Sequence, residues 1–174
     1  MLIATTVKPA TVRLRPGDTW QVIDTPVGEL LVSGDEEALH HLLLPGSFDE
    51  RKLAPAPEGR VLSTEAAREQ IDAYFAHELR EFSLPLDPSG TQFQRRVWFA
   101  LADIPYGATE SYSSIAARVG RPKACRAVGM ASGRNPLPLV LACHRVIGSN
   151  GSLTGYGGGL ELKQRLLDHE RAGL

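Results

Sequence analysis

Short alternating runs of hydrophobic and polar residues dominate the first half of the chain. Residues 20–34 contain two such runs, typical of β-strands, on either side of residues 25–28 (Thr-Pro-Val-Gly). Pro and Gly at those positions favour a tight turn, so the segment predicts a β-hairpin. Residues 36–44 predict a short helix that ends at the Pro-Gly pair of residues 45–46.

A longer helix is predicted next. It begins at Ser63 or Thr64, whose hydroxyl can cap the first turn, and extends to about Phe82. Its apolar side chains recur at helical spacing: Ala67, Ile71, Tyr74, Phe75 and Leu79. Prolines and a glycine after the helix mark a boundary. We therefore expect an N-terminal α+β domain of residues 1–88 and a C-terminal domain of residues 89–174.

The second half predicts a succession of short helices. Thr91 and Gln94 have the spacing of a capping box, in which each side chain bonds the other residue's backbone N–H. The helix that follows has these apolar side chains at helical spacing: Phe93, Val97, Trp98 and Leu101. Two further helices are predicted over residues 111–119 and 123–132, separated by a short turn. This arrangement is typical of a helix-turn-helix, whose second helix enters a DNA groove.

The second helix of this pair has two distinct faces. Small and apolar residues occupy the face that is predicted to pack inward: Ala124, Ala127, Val128 and Ala131. The opposite face holds a basic residue, a methionine and two glycines: Arg126, Gly129, Met130 and Gly133. Each glycine destabilises a helix by about 0.8–1 kcal/mol relative to alanine. Two glycines on this face are explained if another surface approaches the helix closely. That surface is another part of the protein or a DNA groove, and we favour the groove.

Composition indicates a folded chain without a membrane anchor. Hydrophobic residues make up 43% of the 174 residues and charged residues 22%, a balance that argues against disorder. No apolar run approaches the roughly 20 residues of a spanning helix, and the N-terminus has no secretory signal pattern. Charge is uneven, because residues 1–90 carry −7 and residues 91–174 carry +6. Either this is chance, or the second half binds a polyanion.

The two cysteines differ in their sequence surroundings. Two are too few for a disulfide framework, which favours a reducing, cytoplasmic location. Cys125 lies on a small-residue helix with no histidine beside it and is predicted to be core filler. Cys143 is followed by His144 and Arg145, whose positive potential favours the reactive thiolate. Neither cysteine has partners at zinc-site spacing, so no metal is expected.

A strand is predicted to carry Cys143 and His144 at its end, namely the apolar run of residues 137–141. Neighbouring residues of a strand point to opposite faces, so His144 would reach the thiol through a bend in the chain or through one water. A histidine that acts as a base needs a carboxylate to orient it. Glu170 is the candidate, and its alternative is a solvated acid at a helix end.

A glycine-rich segment follows the cysteine. Residues 149–152 (Ser-Asn-Gly-Ser) predict a hairpin turn, and residues 154–159 (Thr-Gly-Tyr-Gly-Gly-Gly) predict a loop of small residues. Unobstructed N–H groups in such a loop can hydrogen-bond the edge of a planar ligand. The loop lacks the pattern of a phosphate-binding loop, which excludes a nucleotide triphosphate site.

Together, residues between positions 91 and 170 are specific enough to indicate a family. They are Tyr112, the run 126–129 (Arg-Ala-Val-Gly), Asn135, Pro136, the run 143–148 (Cys-His-Arg-Val-Ile-Gly), Thr154, Gly155, Tyr156, Gly158, Gly159, Lys163, Leu166, Leu167, His169 and Glu170. In this stretch the chain resembles the O6-alkylguanine-DNA alkyltransferases, or methylated-DNA–protein-cysteine methyltransferases. The resemblance implies a ribonuclease-H-like α+β N-terminal domain, followed by a mostly helical C-terminal domain with a DNA-binding helix-turn-helix.

The resemblance also implies a reaction. The partner is double-stranded DNA that contains O6-alkylguanine, with O4-alkylthymine as a second candidate substrate. Cys143 accepts the alkyl group irreversibly, once per molecule, after the nucleotide has rotated out of the duplex. His144 is then a water-mediated base that Glu170 orients, and Asn135 braces the turn between the DNA-binding helix and the cysteine. No cofactor is implied, and the protein is expected to be a monomer.

DNA contacts and a substrate pocket follow from the same resemblance. Arg126 fills the space that the target nucleotide leaves, and Tyr112 crowds the neighbouring phosphate and lines the pocket. Gly129 lies on the face that we expect to approach DNA, while Lys123 and Arg121 are expected to contact phosphates. The rest of the pocket wall is implied to be Val146, Tyr156, Gly157 and Gly158.

One departure from the family and two alternative functions remain. Ala142 stands where the family has proline, which removes a restraint on the pocket wall. Some members bind zinc through N-terminal cysteines, which this chain lacks. The first alternative is a module that recognises damaged DNA without repairing it; such proteins lack the acceptor, so Cys143 argues against it. The second is a cysteine hydrolase, whose Cys and His normally come from distant parts of the chain.

Overall fold

The computed structural model of the protein describes residues 14–53 and 61–174. The extreme N-terminus, where we expect no signal peptide, lies outside these residues. The first half forms a three-stranded antiparallel sheet in the order β1-β2-β3, made of β1 (Thr19–Ile23), β2 (Leu30–Gly34) and β3 (Leu39–Leu43). A 3₁₀ turn at Glu50–Lys52 and helix α1 (Leu62–Phe75) follow.

The predicted hairpin is confirmed by the β1–β2 pair. The Thr25 hydroxyl donates to the carbonyl of Gly28 at 2.6 Å, and the Gly28 N–H donates to the carbonyl of Thr25 at 3.0 Å. Gly28 has φ +117, a backbone conformation that side chains other than glycine rarely adopt. The turn residues therefore set the register of the hairpin.

The helix predicted over residues 36–44 is wrong, because that segment contains β3. One edge of β3 pairs with β2. On the other edge, the Leu39 N–H donates to the carbonyl of Pro85 and the Leu39 carbonyl accepts from the Asp87 N–H, at 2.9 and 3.0 Å. Pairing with the preceding strand and hydrogen bonds to the distant residues Pro85 and Asp87 outweigh the weak local preference for a helix.

Helix α1 packs on the sheet through its predicted stripe but is shorter than predicted. Ala67, Ile71 and Tyr74 are fully buried. The helix ends at Phe75 and not near Phe82, because His77 takes a left-handed conformation with φ +61. The predicted cap is also wrong, since the Ser63 hydroxyl donates to the carbonyl of Asp35 and the Thr64 hydroxyl to that of Val61, both acceptors outside the helix.

The second half is mostly helical. Its first helix has the predicted capping box, in which Thr91 Oγ1 accepts from the Gln94 N–H and Gln94 Oε1 accepts from the Thr91 N–H. Strands β4 and β5 form a short parallel pair. The elements in chain order are α2 (Gln92–Ala102), β4 (Glu110–Ser111), α3 (Tyr112–Arg118), α4 (Cys125–Gly133), a 3₁₀ turn (Cys143–Arg145), β5 (Val146–Ile147) and α5 (Leu160–Ala172).

Both halves contribute to one continuous hydrophobic core. It includes Ile71 and Tyr74 of α1, Trp98 and Leu101 of α2, and Leu166 of α5. The segment between the halves is fixed by Asp87, whose carboxylate accepts from Arg15 at 2.8 Å and from Arg95 at 3.1 Å. The last turns of α1 and α5 lie against each other, since the Tyr74 hydroxyl donates to Glu170 and His169 Nε2 lies 3.0 Å from the Tyr74 carbonyl oxygen.

Candidate functional site

Cys143 opens a 3₁₀ turn and is buried, with 6% of its surface exposed. Burial raises the pKa of the thiol to about 11, against the opposite effects of the Asn135 side chain and of the positive charge on Lys163. The thiol is therefore protonated at neutral pH and needs a base before it can act as a nucleophile.

The strand predicted over residues 137–141 is wrong. The segment is irregular, with Leu139 in a left-handed conformation at φ +80. Pro136 and Pro138 lack the N–H that a sheet ladder requires, which explains why no strand forms. The Leu141 N–H instead donates back to the carbonyl of Leu137 at 2.8 Å.

The Asn135 side chain hydrogen-bonds to both ends of this irregular segment. Its side-chain Nδ2 donates to the carbonyl of Leu141 at 2.6 Å, and its Oδ1 accepts from the Leu137 N–H at 3.0 Å. The side chain thus links the end of α4 to the residues that precede Cys143, the position at which the sequence predicted a brace.

His144 and Glu170 meet in the protein interior, and both are fully buried. His144 Nε2 lies 2.7 Å from Glu170 Oε1. Burial works to raise the pKa of Glu170, but hydrogen bonds from His144 and Arg145 lower it to about 2. An ionised carboxylate only accepts hydrogen bonds, so Nε2 carries the proton and donates it.

This tautomer leaves Nδ1 of His144 as a hydrogen-bond acceptor. Burial lowers the pKa of His144 below 6.5, despite the opposite effect of Glu170, so the ring is neutral at pH 7. Nδ1 is buried and has no hydrogen-bond partner among the residues that the structure describes. The ring is therefore fixed at one nitrogen and free to take a proton at the other.

Glu170 accepts from four different residues, which we call the Glu170 network. Arg145 donates to both carboxylate oxygens, at 2.9 to 3.1 Å, and the Gly107 N–H donates to Oε2 at 2.9 Å. Tyr74 of α1 donates to Oε1 at 2.8 Å. With His144, these donors neutralise and orient a carboxylate that would be costly to bury alone.

Sequence reasoning missed three members of this network. Arg145 was expected to add positive potential near the thiol, but its guanidinium is bound to Glu170 and to the carbonyl of Ile104. In the sequence, Tyr74 is one residue of an apolar stripe, and nothing connects Gly107 with the site. All three residues are far from Glu170 in the sequence, so their hydrogen bonds to it cannot be predicted from local pattern. The one available signal was the hydroxyl of Tyr74, because a buried tyrosine usually has a hydrogen-bond partner.

Tyr112 begins α3 and faces the glycine-rich loop. Its hydroxyl donates to the carbonyls of Thr154 and Gly155 at 3.2 and 3.4 Å. A side chain at Gly129 of α4 would lie 3.9 Å from the Tyr112 ring. Lys163 is fully buried and donates to the carbonyls of Val146 and Thr154 at 2.5 and 2.8 Å. These contacts bring α3, α4 and the loop together.

The remaining predicted pocket residues are neighbours of Cys143 and α5. Tyr156 is half-buried, and its hydroxyl is buried without a hydrogen-bond partner among the described residues. A Cβ at Gly158 would come within 2.5 Å of the Leu162 side chain, which would have to shift to admit it, whereas Gly157 faces open space. The predicted turn at residues 149–152 forms, with φ +81 at its glycine, but the described residues give it no hairpin.

The surface formed by the turn before α4 and by the first turn of α4 differs from the buried network. Arg121, Lys123 and Arg126 are exposed, and their side chains make no hydrogen bond or ion pair within residues 14–53 and 61–174. We call these three residues the basic surface. Two predictions here are wrong: Ala127 is exposed instead of packed inward, and Cys125 is exposed instead of core filler.

These two corrections have one cause. The helix begins at Cys125, two residues later than predicted, and only Val128, Ala131 and Ser132 are buried along it. A nine-residue helix packed through so narrow a stripe leaves its first turn in solvent. Gly129 and the exposed Met130 lie beside Arg126, as the face analysis predicted.

No group of three or more His, Cys, Asp or Glu side chains in the described part of the chain is arranged to hold a metal ion. Within those same residues, no helix is long and apolar enough to cross a membrane.

Comparison with known proteins agrees with this geometry. Residues 92–172 match the family model of the 6-O-methylguanine DNA methyltransferase DNA binding domain, and residues 19–88 match that of the ribonuclease-like domain. A methylated-DNA–protein-cysteine methyltransferase of Methanosarcina acetivorans is 46% identical over 154 residues, which cover 87% of this chain and 97% of that protein. A relative of the same name from Mycolicibacterium paratuberculosis is 47% identical over 153 residues, covering 87% and 92%.

Solved structures give the same result. Mycobacterium tuberculosis OGT in complex with DNA superposes with a TM-score of 0.80 at 44% identity, covering 89% of this chain and 94% of that one. An O6-methylguanine DNA methyltransferase from Methanococcus jannaschii has a TM-score of 0.62 at 30% identity, covering 87% and 93%.

Proposed function

The chain belongs to the O6-methylguanine-DNA methyltransferase family, and we propose that it repairs duplex DNA by moving the alkyl group of O6-alkylguanine onto Cys143. The observation that carries this proposal is the neutral His144, fixed by Glu170 at Nε2 and unpartnered at buried Nδ1, next in sequence to a buried thiol. This arrangement suits a base that acts once on a protected nucleophile.

Transfer is a direct displacement. The proton of the Cys143 thiol passes to His144 Nδ1 through one water, which gives thiolate and imidazolium. The sulfur then attacks the alkyl carbon, so that the S–C bond forms, the C–O6 bond breaks, and its electron pair stays on the base. A proton from the imidazolium neutralises the guanine. The thioether is stable, so each molecule reacts once.

DNA binding is proposed to use α3 and α4 as a helix-turn-helix. The support is the exposed basic surface of Arg121, Lys123 and Arg126, whose side chains have no partner among the described residues and which lies beside the small residue Gly129. We assign Arg126 to the space that the extruded nucleotide leaves, and Tyr112 to the phosphate beside it. The other two cations would contact phosphates, which neutralises backbone charge without reading sequence.

The substrate pocket is proposed to lie between the glycine-rich loop and Cys143. Tyr112, Tyr156, Val146, Gly157 and Gly158 would line it. The buried, unpartnered Tyr156 hydroxyl and the open space at Gly157 support this assignment, because a planar base needs both a donor at its edge and room for its rings.

Three further assignments complete the proposal. The chain divides into a ribonuclease-like domain of residues 1–88 and a DNA-binding domain of residues 89–174, in line with the matched family models. It acts as a monomer in the cytoplasm, where two unpaired cysteines remain reduced. O4-alkylthymine is a second substrate candidate, to be tested in the same assay.

Intact-mass analysis after incubation with duplex DNA that carries O6-methylguanine tests the reaction. We expect a gain of one methyl group on Cys143, with a burst equal to the protein present. Cys143→Ser should abolish transfer and keep DNA binding, because a hydroxyl ionises far less readily than a thiol. Binding without mass gain in the wild type would instead indicate a damage-recognition module, and sustained turnover would contradict the single-use mechanism.

A further inference from the structure

Tyr74 is the one member of the Glu170 network that comes from the first half of the chain. It is fully buried on α1, and its hydroxyl donates to Glu170 Oε1 at 2.8 Å. Burial and the negative charge of Glu170 raise the pKa of the phenol, so the hydroxyl keeps its proton at any working pH. The mechanism above does not use this group.

The ring that carries the hydroxyl is held on every side. Phe75 contacts it edge-on with 5.0 Å between ring centroids, and Phe82 stacks on it at 5.4 Å. His169, next to Glu170 on α5, lies 5.1 Å away by ring centroid, and its Nε2 is 3.0 Å from the carbonyl oxygen of Tyr74. Helices α1 and α5 are thus joined both through the Tyr74 backbone and through its hydroxyl.

The acceptor of this hydroxyl is the oxygen that also binds His144. Glu170 Oε1 is 2.7 Å from His144 Nε2, 2.9 Å from an Arg145 nitrogen and 2.8 Å from the Tyr74 hydroxyl. Arg145 donates to both carboxylate oxygens and the Gly107 N–H donates to Oε2, so all these donors come from the second half of the chain. Tyr74 adds a restraint on Oε1 from the first half.

We propose, building on the proposed function, that Tyr74 is a positioning residue for alkyl transfer. Its hydroxyl holds Glu170 Oε1 where that oxygen fixes the His144 ring, with Nδ1 directed to the proton of the Cys143 thiol. The first half of the chain thereby takes part in the chemistry of the second. The titratable or charged groups that face Glu170 from the packed elements are Tyr74, His144, Arg145, Tyr106, Tyr156 and His169.

Tyr74→Phe removes the hydroxyl and keeps the packed ring. We expect the single-turnover rate on O6-methylguanine duplex to fall about tenfold. The acid limb of the rate–pH profile should move to higher pH, since an Oε1 with one donor fewer holds more negative charge against His144 and favours its protonation. A defect in packing alone would lower the rate without shifting the rate–pH profile.

Tyr106→Phe is the matched control. Tyr106 belongs to the same aromatic cluster, at 5.8 Å from the Tyr74 ring, but its hydroxyl lies 3.2 Å from His77 Nδ1 and not on Glu170. This variant should react within about twofold of the wild type with an unmoved profile. If the two variants behave alike, or if Tyr74→Phe leaves both rate and profile unchanged, the proposal is overturned.

A double-mutant cycle gives an independent test. In a Glu170→Gln background, Tyr74→Phe should slow transfer no further, because the carboxylate through which it acts is gone. An equal loss in both backgrounds would show that Tyr74 acts elsewhere. Methylation of Cys143 in the wild type, measured by mass in the same samples, separates failure of this inference from failure of the proposed function.

Discussion

The Glu170 network and the basic surface are opposite solutions for placing charge. In the network, a buried carboxylate receives hydrogen bonds from four residues, and its cationic partner Arg145 is buried with it. On the basic surface, three cations are exposed without a partner in the described residues. The difference indicates that folding completes the Glu170 network, whereas the basic surface, the proposed recognition surface, would gain its partners only from bound DNA.

This comparison has an energetic counterpart. A saturated buried network couples stability to activity, because removing one partner leaves another charge buried and unpaired. An exposed, unpaired cation contributes little to stability, and its loss affects only the bound state. Variants of the Glu170 network should therefore lose stability and activity together, whereas variants of the basic surface should lose DNA binding without loss of stability.

Glu170→Ala should show the largest effect. It leaves Arg145 and His144 buried without their acceptor, which should cost about 3–5 kcal/mol of unfolding free energy and slow transfer. Denaturant unfolding measures the first and single-turnover kinetics the second. Glu161→Ala, an exposed acid at the start of the same helix, should stay within about 0.5 kcal/mol of the wild type. Equal losses of unfolding free energy in the two variants would contradict a stabilising role of the Glu170 network.

Acidification should weaken the network without any mutation. The pKa of Glu170 lies near 2 in the folded protein against 4.5 ordinarily, so its stabilisation is complete above 4.5 and is lost as pH falls towards 2. His144, with a lowered pKa, adds a loss that begins below 6.5. From the shift of Glu170 alone we expect about 2 kcal/mol of destabilisation between pH 7 and 3, and the loss at His144 adds to it. Thermal unfolding against pH, compared with Glu170→Gln, measures it; identical pH slopes would refute the assignment.

Arg126→Ala should affect DNA and not chemistry. Without the guanidinium to fill the opened stack, extrusion of the nucleotide becomes more costly, and repair of duplex DNA should slow about tenfold or more. Reaction with free O6-alkylguanine base should change little, because no stack is opened. Arg51→Ala, which removes the same charge from the first half, is the control. If both rates of Arg126→Ala fall equally, this arginine supports the fold or the pocket.

Lys123→Ala should have the smallest effect. Losing one phosphate contact should reduce the slope of log affinity against log salt by about 1, with little change in specificity and none in unfolding free energy. Arg121→Ala should behave the same way. Binding titrations at several salt concentrations are sufficient, and an unchanged slope would place DNA elsewhere on the molecule.

How far the sequence predicted these regions depends on how local their determinants are. The capping box at Thr91, the hairpin turn at residues 25–28 and the exposed position of Arg126 follow from neighbours within a few residues. Strand β3 and the length of α1 do not, because β3 is fixed by segments far along the chain.

The candidate site shows the same division. The resemblance to a family identified Cys143, His144 and Glu170 as a group, and the latter two are in contact. It gave no indication of Tyr74, because a hydroxyl on an apolar stripe has the same periodicity as a phenylalanine. The irregular segment before Cys143 was not predicted for another reason. The strand prediction gave more weight to the apolar residues than to the two prolines.

The burial of Cys143 has a consequence for the spent protein. The S–C bond of a thioether does not exchange with cellular thiols, so the reacted state persists. The added methyl group enlarges a side chain that is already buried, and overpacking of a buried site typically costs about 1–3 kcal/mol. Each chain thus carries the alkyl group of one repaired base. The number of alkylated chains equals the number of transfers, and only synthesis of new protein restores activity.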